Sequence, residues 1–258
     1  MFIGNRVFEN YTYIMAIINL TPDSFWAVSR KGADDVLFAV ESAQKEGAAV
    51  IDIGAQSTRP GYFEISAKEE IARFEKPIAA IKARFDIPVS VDTYFAESAR
   101  AALQIGADMV NDIWGLSRDK DMAKTVAEFN ASVCIMHNSK TQLSGDIWGG
   151  IENFLAENAR NALDFGIDGN KIILDGGIGF AKTKEQNFEL LNGYERLKKL
   201  GYPLLLGASR KSMFGGEVKD RLAPTLESTR IAAEKGVLFV RVHDVKENAE
   251  IIKKTYGG

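Results

Sequence analysis

Eight times along this chain a short apolar run is followed by a segment of helical spacing, and that alternation limits the available folds more than any single residue does. The runs are Tyr13–Asn19, Val50–Gly54, Val89–Asp92, Met109–Asp112, Val133–Met136, Ile172–Asp175, Leu204–Gly207 and Leu238–Val242. Between them the spacing predicts helices over Asp34–Glu46, Ala67–Arg84, Phe95–Ile105, Lys120–Phe129, Ile151–Phe165, Lys184–Lys199 and Leu226–Glu234, with Val245–Tyr256 last. Ser66 followed by Glu69 is a capping-box pattern, and Pro77 predicts a kink or break in the helix it opens. Parallel strands need helical crossovers. Eight such units in 258 residues therefore predict an α/β chain folded as one (β/α)8 TIM barrel over residues 1–258. The competing fold is an open doubly wound sheet. It would want a glycine-rich dinucleotide loop after the first strand, and Asn19-Leu20-Thr21-Pro22 is not one.

In a barrel the C-terminal ends of all strands open on one face, so the polar residues that end these runs should converge. Ile172–Asp175 ends in a carboxylate followed by Gly176-Gly177-Ile178-Gly179-Phe180, a turn that leaves room for a flat ligand beside Asp175. Asn19, Arg59, Asp92, Asn111, Asp175, Lys211, Arg241 and His243 are expected in the same mouth. Asp92, Asp175 and Asn111 suit a planar, nitrogen-rich ring with amino and ring N–H donors, and Lys211 can donate to a carbonyl or ring nitrogen on it. Arg59, Arg241 and His243 suit a phosphate or pyrophosphate, with the amide oxygen of Asn19 available to a cation. Each residue also has a plainer reading. Asp92 and Asp175 could cap helices, the basic residues could be solvated rim charges, and His243 and His137 could be structural. Eight polar strand ends arising together by accident is the weaker account.

Composition narrows the partners. Lys+Arg 32 against Asp+Glu 35 leaves a net charge of -3, so no broad basic field recruits nucleic acid and any anion site is local. The single cysteine, Cys134, lies in an apolar run, which excludes a disulfide framework and a cysteine-rich zinc site. No apolar run approaches a membrane span and the N-terminus lacks a signal-like pattern, so a cytoplasmic protein without membrane attachment is expected.

Seven blocks in order carry a family resemblance. Asn19-Leu20-Thr21-Pro22-Asp23-Ser24-Phe25, Asp52-Ile53-Gly54 through Ser57-Thr58-Arg59-Pro60-Gly61, Val91-Asp92-Thr93-Tyr94, Asn111-Asp112-Ile113, Gly177 through Thr183, Ser209-Arg210-Lys211-Ser212 and Arg241 through Val245 resemble those of dihydropteroate synthases. The resemblance spans almost the whole chain. It implies condensation of 6-hydroxymethyl-7,8-dihydropterin diphosphate with p-aminobenzoate to give 7,8-dihydropteroate and diphosphate in folate biosynthesis, with sulfonamides as mimics of p-aminobenzoate. It further implies that Asp92, Asn111, Asp175 and Lys211 hold the pterin with Met136 on its face. Asn19 would ligate Mg²⁺, and Asn19, Thr58, Arg59, Arg241 and His243 would meet the diphosphate. Phe25, Pro60, Phe180, Arg210 and Ser212 would shape the p-aminobenzoate site, with Ser212 near a helix start that receives its carboxylate. Arg59, Asp92, Lys211, Arg241 and His243 are the expected catalytic set. A homodimer is implied as well.

The chain departs from the family pattern at Trp26-Ala27, where a loop carboxylate is usual, at Gln56, usually Glu, and at Gly176, usually Pro. Gly176 should loosen the backbone leading to Gly177. Segments Thr21–Lys31 and Ala55–Ile65 are expected to close over the site as lids, and the change at Ala27 is expected to alter turnover or sulfonamide response. A pterin-binding paralogue without synthase activity is the alternative. It has no need of a diphosphate pocket. A corrinoid-dependent methyltransferase domain would lack the Ser57–Gly61 and Ser209–Ser212 blocks, and a Schiff-base aldolase would have to use Lys211 beside the acids expected to hold the ring.

Overall fold

Side chains along a strand alternate between two faces, and in this chain each face has its own composition. The computed structural model describes residues 1–20, 30–56 and 64–257. A two-residue hairpin, β1 (Phe2–Ile3) and β2 (Arg6–Val7), precedes eight parallel strands: β3 (Tyr13–Asn19), β4 (Ala48–Gly54), β5 (Val89–Asp92), β6 (Met109–Asp112), β7 (Ser132–Met136), β8 (Ile172–Asp175), β9 (Leu204–Leu206) and β10 (Phe239–Val242). They close into a barrel in chain order, with β10 pairing β3 through Phe239 to Tyr13 and Arg241 to Met15. The helices are α1 (Arg30–Glu46), α2 (Ala67–Arg84), α3 (Ala96–Ile105), α4 (Met122–Glu128), α5 (Ile147–Asp164), α6 (Lys184–Asn192), α7 (Leu222–Glu234) and α8 (Val245–Tyr256).

One strand face packs outward against the helices: Ala16, Ile18, Ile51, Ile53, Val89, Val91, Val110, Val133, Ile135, Leu174, Leu206 and Val240 belong to this buried layer. The other face fills the barrel. Met15, Val50, Met109, Cys134, Ile173, Leu205 and Phe239 form a separate core there, and Ile3 and Phe8 of the N-terminal segment join it as a plug. Phe8 meets Tyr13 and Phe239 edge-on, each at 5.0 Å between ring centres. Two residues further along, the same inward face becomes polar: Asp52 on β4, Asp92 on β5, Asn111 on β6, Asp175 on β8 and Arg241 on β10. An apolar floor therefore lies under a polar mouth.

Three differences from the sequence reading have local causes. Helix α2 runs unbroken through Pro77, with Ser66 accepting from the Glu69 N–H and Phe85 at its end. Proline removes one ladder bond, but burial of Phe74, Ile78 and Ile81 holds the face in register. The predicted helix Lys184–Lys199 instead ends at Asn192, and Tyr194–Leu200 is a 3-10 helix. A Cβ at the intervening Gly193 would lie 2.6 Å from the Trp148 ring. Helix α5 begins at Ile147, four residues early, because Asp146 caps it by accepting from Trp148 and Gly149 N–H groups.

Candidate active site

Strand β8 delivers Asp175 to the mouth, and the turn after it is built around that carboxylate. Asp175 Oδ1 accepts the Gly177 N–H at 2.7 Å and lies 3.0 Å from the Tyr194 hydroxyl. That hydroxyl in turn accepts the Gly176 N–H at 2.9 Å and lies 2.5 Å from the Leu205 carbonyl. Burial raises the Asp175 carboxyl above its ordinary range, against the Gly177 and Tyr194 hydrogen bonds that lower it. Asp175 does not cap a helix; Thr183 caps α6 in a full capping box with Gln186. Gly176 is not a loose point either. It is buried, its N–H is satisfied, and a Cβ there would sit 3.1 Å from Leu190.

Opposite lies a charge cluster. Arg241 donates from Nε to Asp52 Oδ2 at 2.6 Å and from Nη2 to Asp92 Oδ2 at 2.5 Å. Asn111 Nδ2 lies 3.4 Å from the same Asp52 oxygen. Burial works against the guanidinium charge, but Asp52 and Asp92 hold it more firmly protonated than usual. Asp92 is raised to about 7, by burial first, with Arg241 lowering it and Asp52 and Glu70 raising it. The second oxygens, Oδ1 of Asp52 and of Asp92, are buried and have no hydrogen-bond partner among the described residues. Buried acceptors are almost always satisfied, so two orphaned oxygens in one mouth point to absent donors.

Around these acids stands an aromatic and sulfur wall. Tyr94, Ile113 and Met136 form a small buried cluster with Phe95, Trp114 and Phe180 against it. Lys211 Nζ lies 4.1 Å from the centre of the Phe180 ring, and its stem passes so close to Gly179 that a Cβ there would be 2.9 Å away. His243 Nδ1 lies 3.0 Å from Ser209 Oγ, and Asn19 Oδ1 projects 3.1 Å from where a Cβ on Gly54 would stand.

Asp92, Asn111, Met136, Asp175, Phe180, Lys211, Arg241, His243 and Asn19 thus lie at or beside the strand ends named from sequence. Two expected residues sit differently. Arg210 is turned onto Asp244, with Nε and Nη2 at 2.8 and 2.6 Å. Ser212 opens a three-residue 3-10 turn, Ser212–Phe214, while α7 starts only at Leu222. Such a turn has too few aligned peptides to act as a helix N-terminus for an anion. Phe25, Trp26, Ala27, Thr58, Arg59 and Pro60 lie outside the described residues, as does most of both expected lids. Of those two segments, Arg30 and Lys31 already belong to α1. Gln56 Oε1 accepts the Ile65 N–H at 2.8 Å and its amide donates to the Tyr94 hydroxyl.

Sequence reasoning missed Asp52, Tyr194 and the pairing of His137 with Lys182. Asp52 carried a usable signal: a carboxylate inside the apolar run Ala48–Gly54, at the same parity as Gly54 and the strand end. Tyr194 carried none, because its direction depends on the break at Gly193. Lys182 Nζ contacts His137 Nδ1 at 3.0 Å and donates to the Gly177 and Phe180 carbonyls at 2.9 and 3.0 Å. Burial lowers Lys182 to about 7, with Asp175 raising it, and burial and Lys182 together lower His137 to about 3.

Comparison with known proteins accords with this geometry. A family model described as pterin binding enzyme matches residues 15–243. A dihydropteroate synthase of Clostridium beijerinckii is 47% identical over 99% of this chain and 98% of its own length. The crystal structure of a dihydropteroate synthase from Clostridium difficile in the presence of pteroic acid superposes with a TM-score of 0.94, at 42% identity over 97% of each chain. A Xanthomonas albilineans dihydropteroate synthase with 4-aminobenzoic acid gives 0.91, at 32% identity over 96% of this chain and 93% of that one. Lying in a closed parallel barrel and matched over nearly its full length, the chain belongs to the dihydropteroate synthase family of pterin-binding enzymes.

Proposed function

We propose that this chain joins 6-hydroxymethyl-7,8-dihydropterin diphosphate to p-aminobenzoate by a dissociative substitution, releasing diphosphate and 7,8-dihydropteroate. The observation that carries the reading is the pair of unpartnered buried oxygens on Asp52 and Asp92, beside Asn111 and across the mouth from Asp175. Acceptors of that kind fit the amino and ring N–H donors of a reduced pterin. Lys211 donates to the ring from the Phe180 side, and Met136 packs on its face.

Chemistry follows from the ligand's two ends. The carbon bearing diphosphate is attached to an electron-rich ring that can delocalise a cation, so the C–O bond breaks first and both electrons leave with diphosphate. The aniline nitrogen of p-aminobenzoate, a weak nucleophile, then attacks that carbon, and the proton it sheds goes to water or to the released diphosphate. No strong base is required. Asp92 and Asp175 offset charge on the pterin, and Arg241 with His243 offsets charge on the departing anion. Arg241 gives two of its donors to the acids, leaving Nη1 to face the anion, so it ties the two ends of the site together. Thr58 and Arg59 belong to the same anion pocket in this reading, and Phe25, Pro60 and Phe180 to the p-aminobenzoate side. Arg210 is better placed to brace β10 through Asp244 than to touch substrate.

Mg²⁺ fits the amide oxygen of Asn19. Glycine at 54 leaves Asn19 Oδ1 uncovered, and Mg²⁺ keeps several waters and takes phosphate oxygens for the rest of its shell. Among the described residues no group of three or more His, Cys, Asp or Glu side chains forms a rival cage. When bound at Asn19, the ion would supply charge to the diphosphate. A homodimer through the outer wall belongs to the same proposal, with Phe188 of α6 an exposed aromatic side chain on that wall. Sedimentation showing only monomer at micromolar concentration would remove the dimer.

The deciding measurement is diphosphate release with Mg²⁺, with and without p-aminobenzoate, while dihydropteroate is followed in parallel. Release coupled to product is expected. Tight pterin binding with no release under either condition would instead identify a non-catalytic pterin-binding protein.

A further inference from the structure

The turn after β8 presents Phe180 to the mouth and packs against Lys211, which follows β9, yet its own backbone conformation is demanding. Gly177 has φ +72°, and a Cβ there would lie 1.9 Å from the His137 carbonyl oxygen; Gly179 has φ +83°. Ala181, a non-glycine residue, sits at φ +48°. Such a turn needs something to hold it. The Lys182 side chain folds back under it, and its terminal nitrogen meets three acceptors: Gly177 O, Phe180 O and His137 Nδ1. An ammonium has three N–H donors, and here there are three acceptors for them.

We propose that Lys182 is a positioning residue for the pterin end of the site, its ammonium tying both ends of the Gly177–Phe180 turn to His137 on the neighbouring strand end. The inference rests on the pterin reading above and deepens it. His137 takes part as a neutral acceptor through Nδ1, with its ring proton on Nε2, and its lowered value keeps it in that form across the physiological range. The consequence passes through packing. With Gly177 and Phe180 tied, the Phe180 ring is fixed under Lys211 Nζ, and Gly179 lies against the Lys211 stem. Loss of the Lys182 proton leaves two donors for three acceptors. The groups that set that proton are Asp175, which favours it, Lys211, which opposes it, and the neutral His137 ring.

The test uses the full chain and its variants Lys182→Met, His137→Leu and His137→Asn, the last keeping an acceptor near the position of Nδ1. Equilibrium binding of 6-hydroxymethylpterin is measured by calorimetry from pH 6 to 9, with thermal unfolding alongside and KM for each substrate. Lys182→Met is expected to bind the pterin at least about tenfold more weakly at pH 7, the loss of a charge-assisted hydrogen-bond set. Its affinity should also lack the wild-type decline above about pH 7. His137→Leu should lose affinity and His137→Asn should recover it to within about threefold of wild type. Wild-type affinity and an unchanged alkaline decline in Lys182→Met would overturn the proposal. Should Lys182→Met fail to fold, equal affinities in the two His137 variants would overturn it as well. A wild-type chain that binds no pterin would instead overturn the pterin reading on which it rests.

Discussion

Asp92 shows how much of this site rests on single atoms. One of its oxygens is taken by Arg241 and the other is buried with no partner among the described residues, so its charge state decides whether a ring N–H finds an acceptor there. Its carboxyl is raised to about 7, chiefly by burial. A carboxyl whose folded value lies above its unfolded one holds its proton more tightly when folded. Asp92 therefore favours folding as pH falls through 7 and opposes it above, once ionised. Binding has the opposite sign, because the ionised form is the one that accepts. Pterin affinity should weaken as pH falls below about 7. Asp52→Asn removes a repelling charge and leaves Arg241 more fully to Asp92, so that acid limb should move down by about one pH unit. Calorimetric titration of 6-hydroxymethylpterin across pH 5.5–8 checks it; a limb that stays put would mean that Asp92 does not set the profile. Asp112, one residue beyond Asn111, shows what parity does to an acid. It faces away from the barrel interior, accepts the Trp114 and Leu116 N–H groups at 2.8 Å each, and serves the loop.

At the scale of elements, the strands were legible because burial on both faces writes a continuous apolar run that ends where the chemistry starts. β3, β5, β6 and β8 have the bounds read from the sequence. Helix ends were less legible, since they depend on tertiary partners: Trp148 forbids a side chain at Gly193, and only then can Tyr194 reach under Asp175. The same dependence reverses the expectation for Gly176. Far from loosening the turn, it donates to Tyr194 and packs under Leu190 and Leu197. Gly176→Pro removes that donor and crowds both leucines. It should destabilise the chain by about 1–3 kcal/mol, read as a lower urea midpoint with unchanged slope. Equal or greater stability would mean that the Tyr194 hydrogen bond contributes nothing.

For the whole molecule, the barrel's two ends are separable. The floor is closed by Ile3 and Phe8 against Met15, Val50, Met109, Ile173 and Phe239, and the mouth lies at the opposite end of the strands. Phe8→Ala should cost about 3–5 kcal/mol, visible as a large drop in melting temperature. At temperatures where the variant remains folded, KM for both substrates should stay near the wild-type value. A changed KM there would show that the floor shapes the mouth. The hairpin was not legible in the sequence, because two-residue strands leave no periodicity to read. Barrel closure was legible, from the count of units and the rule for parallel connections.

The division of each strand into an inward and an outward face has a consequence for descent. A substitution at an inward strand end, at 92, 111, 175 or 241, alters what the mouth recognises while both flanking residues stay packed against the helices. A lineage carrying this barrel can therefore change its ligand strand by strand, except that Arg241, Asp52 and Asp92, tied by buried ion pairs, must change together for each step to leave a foldable chain.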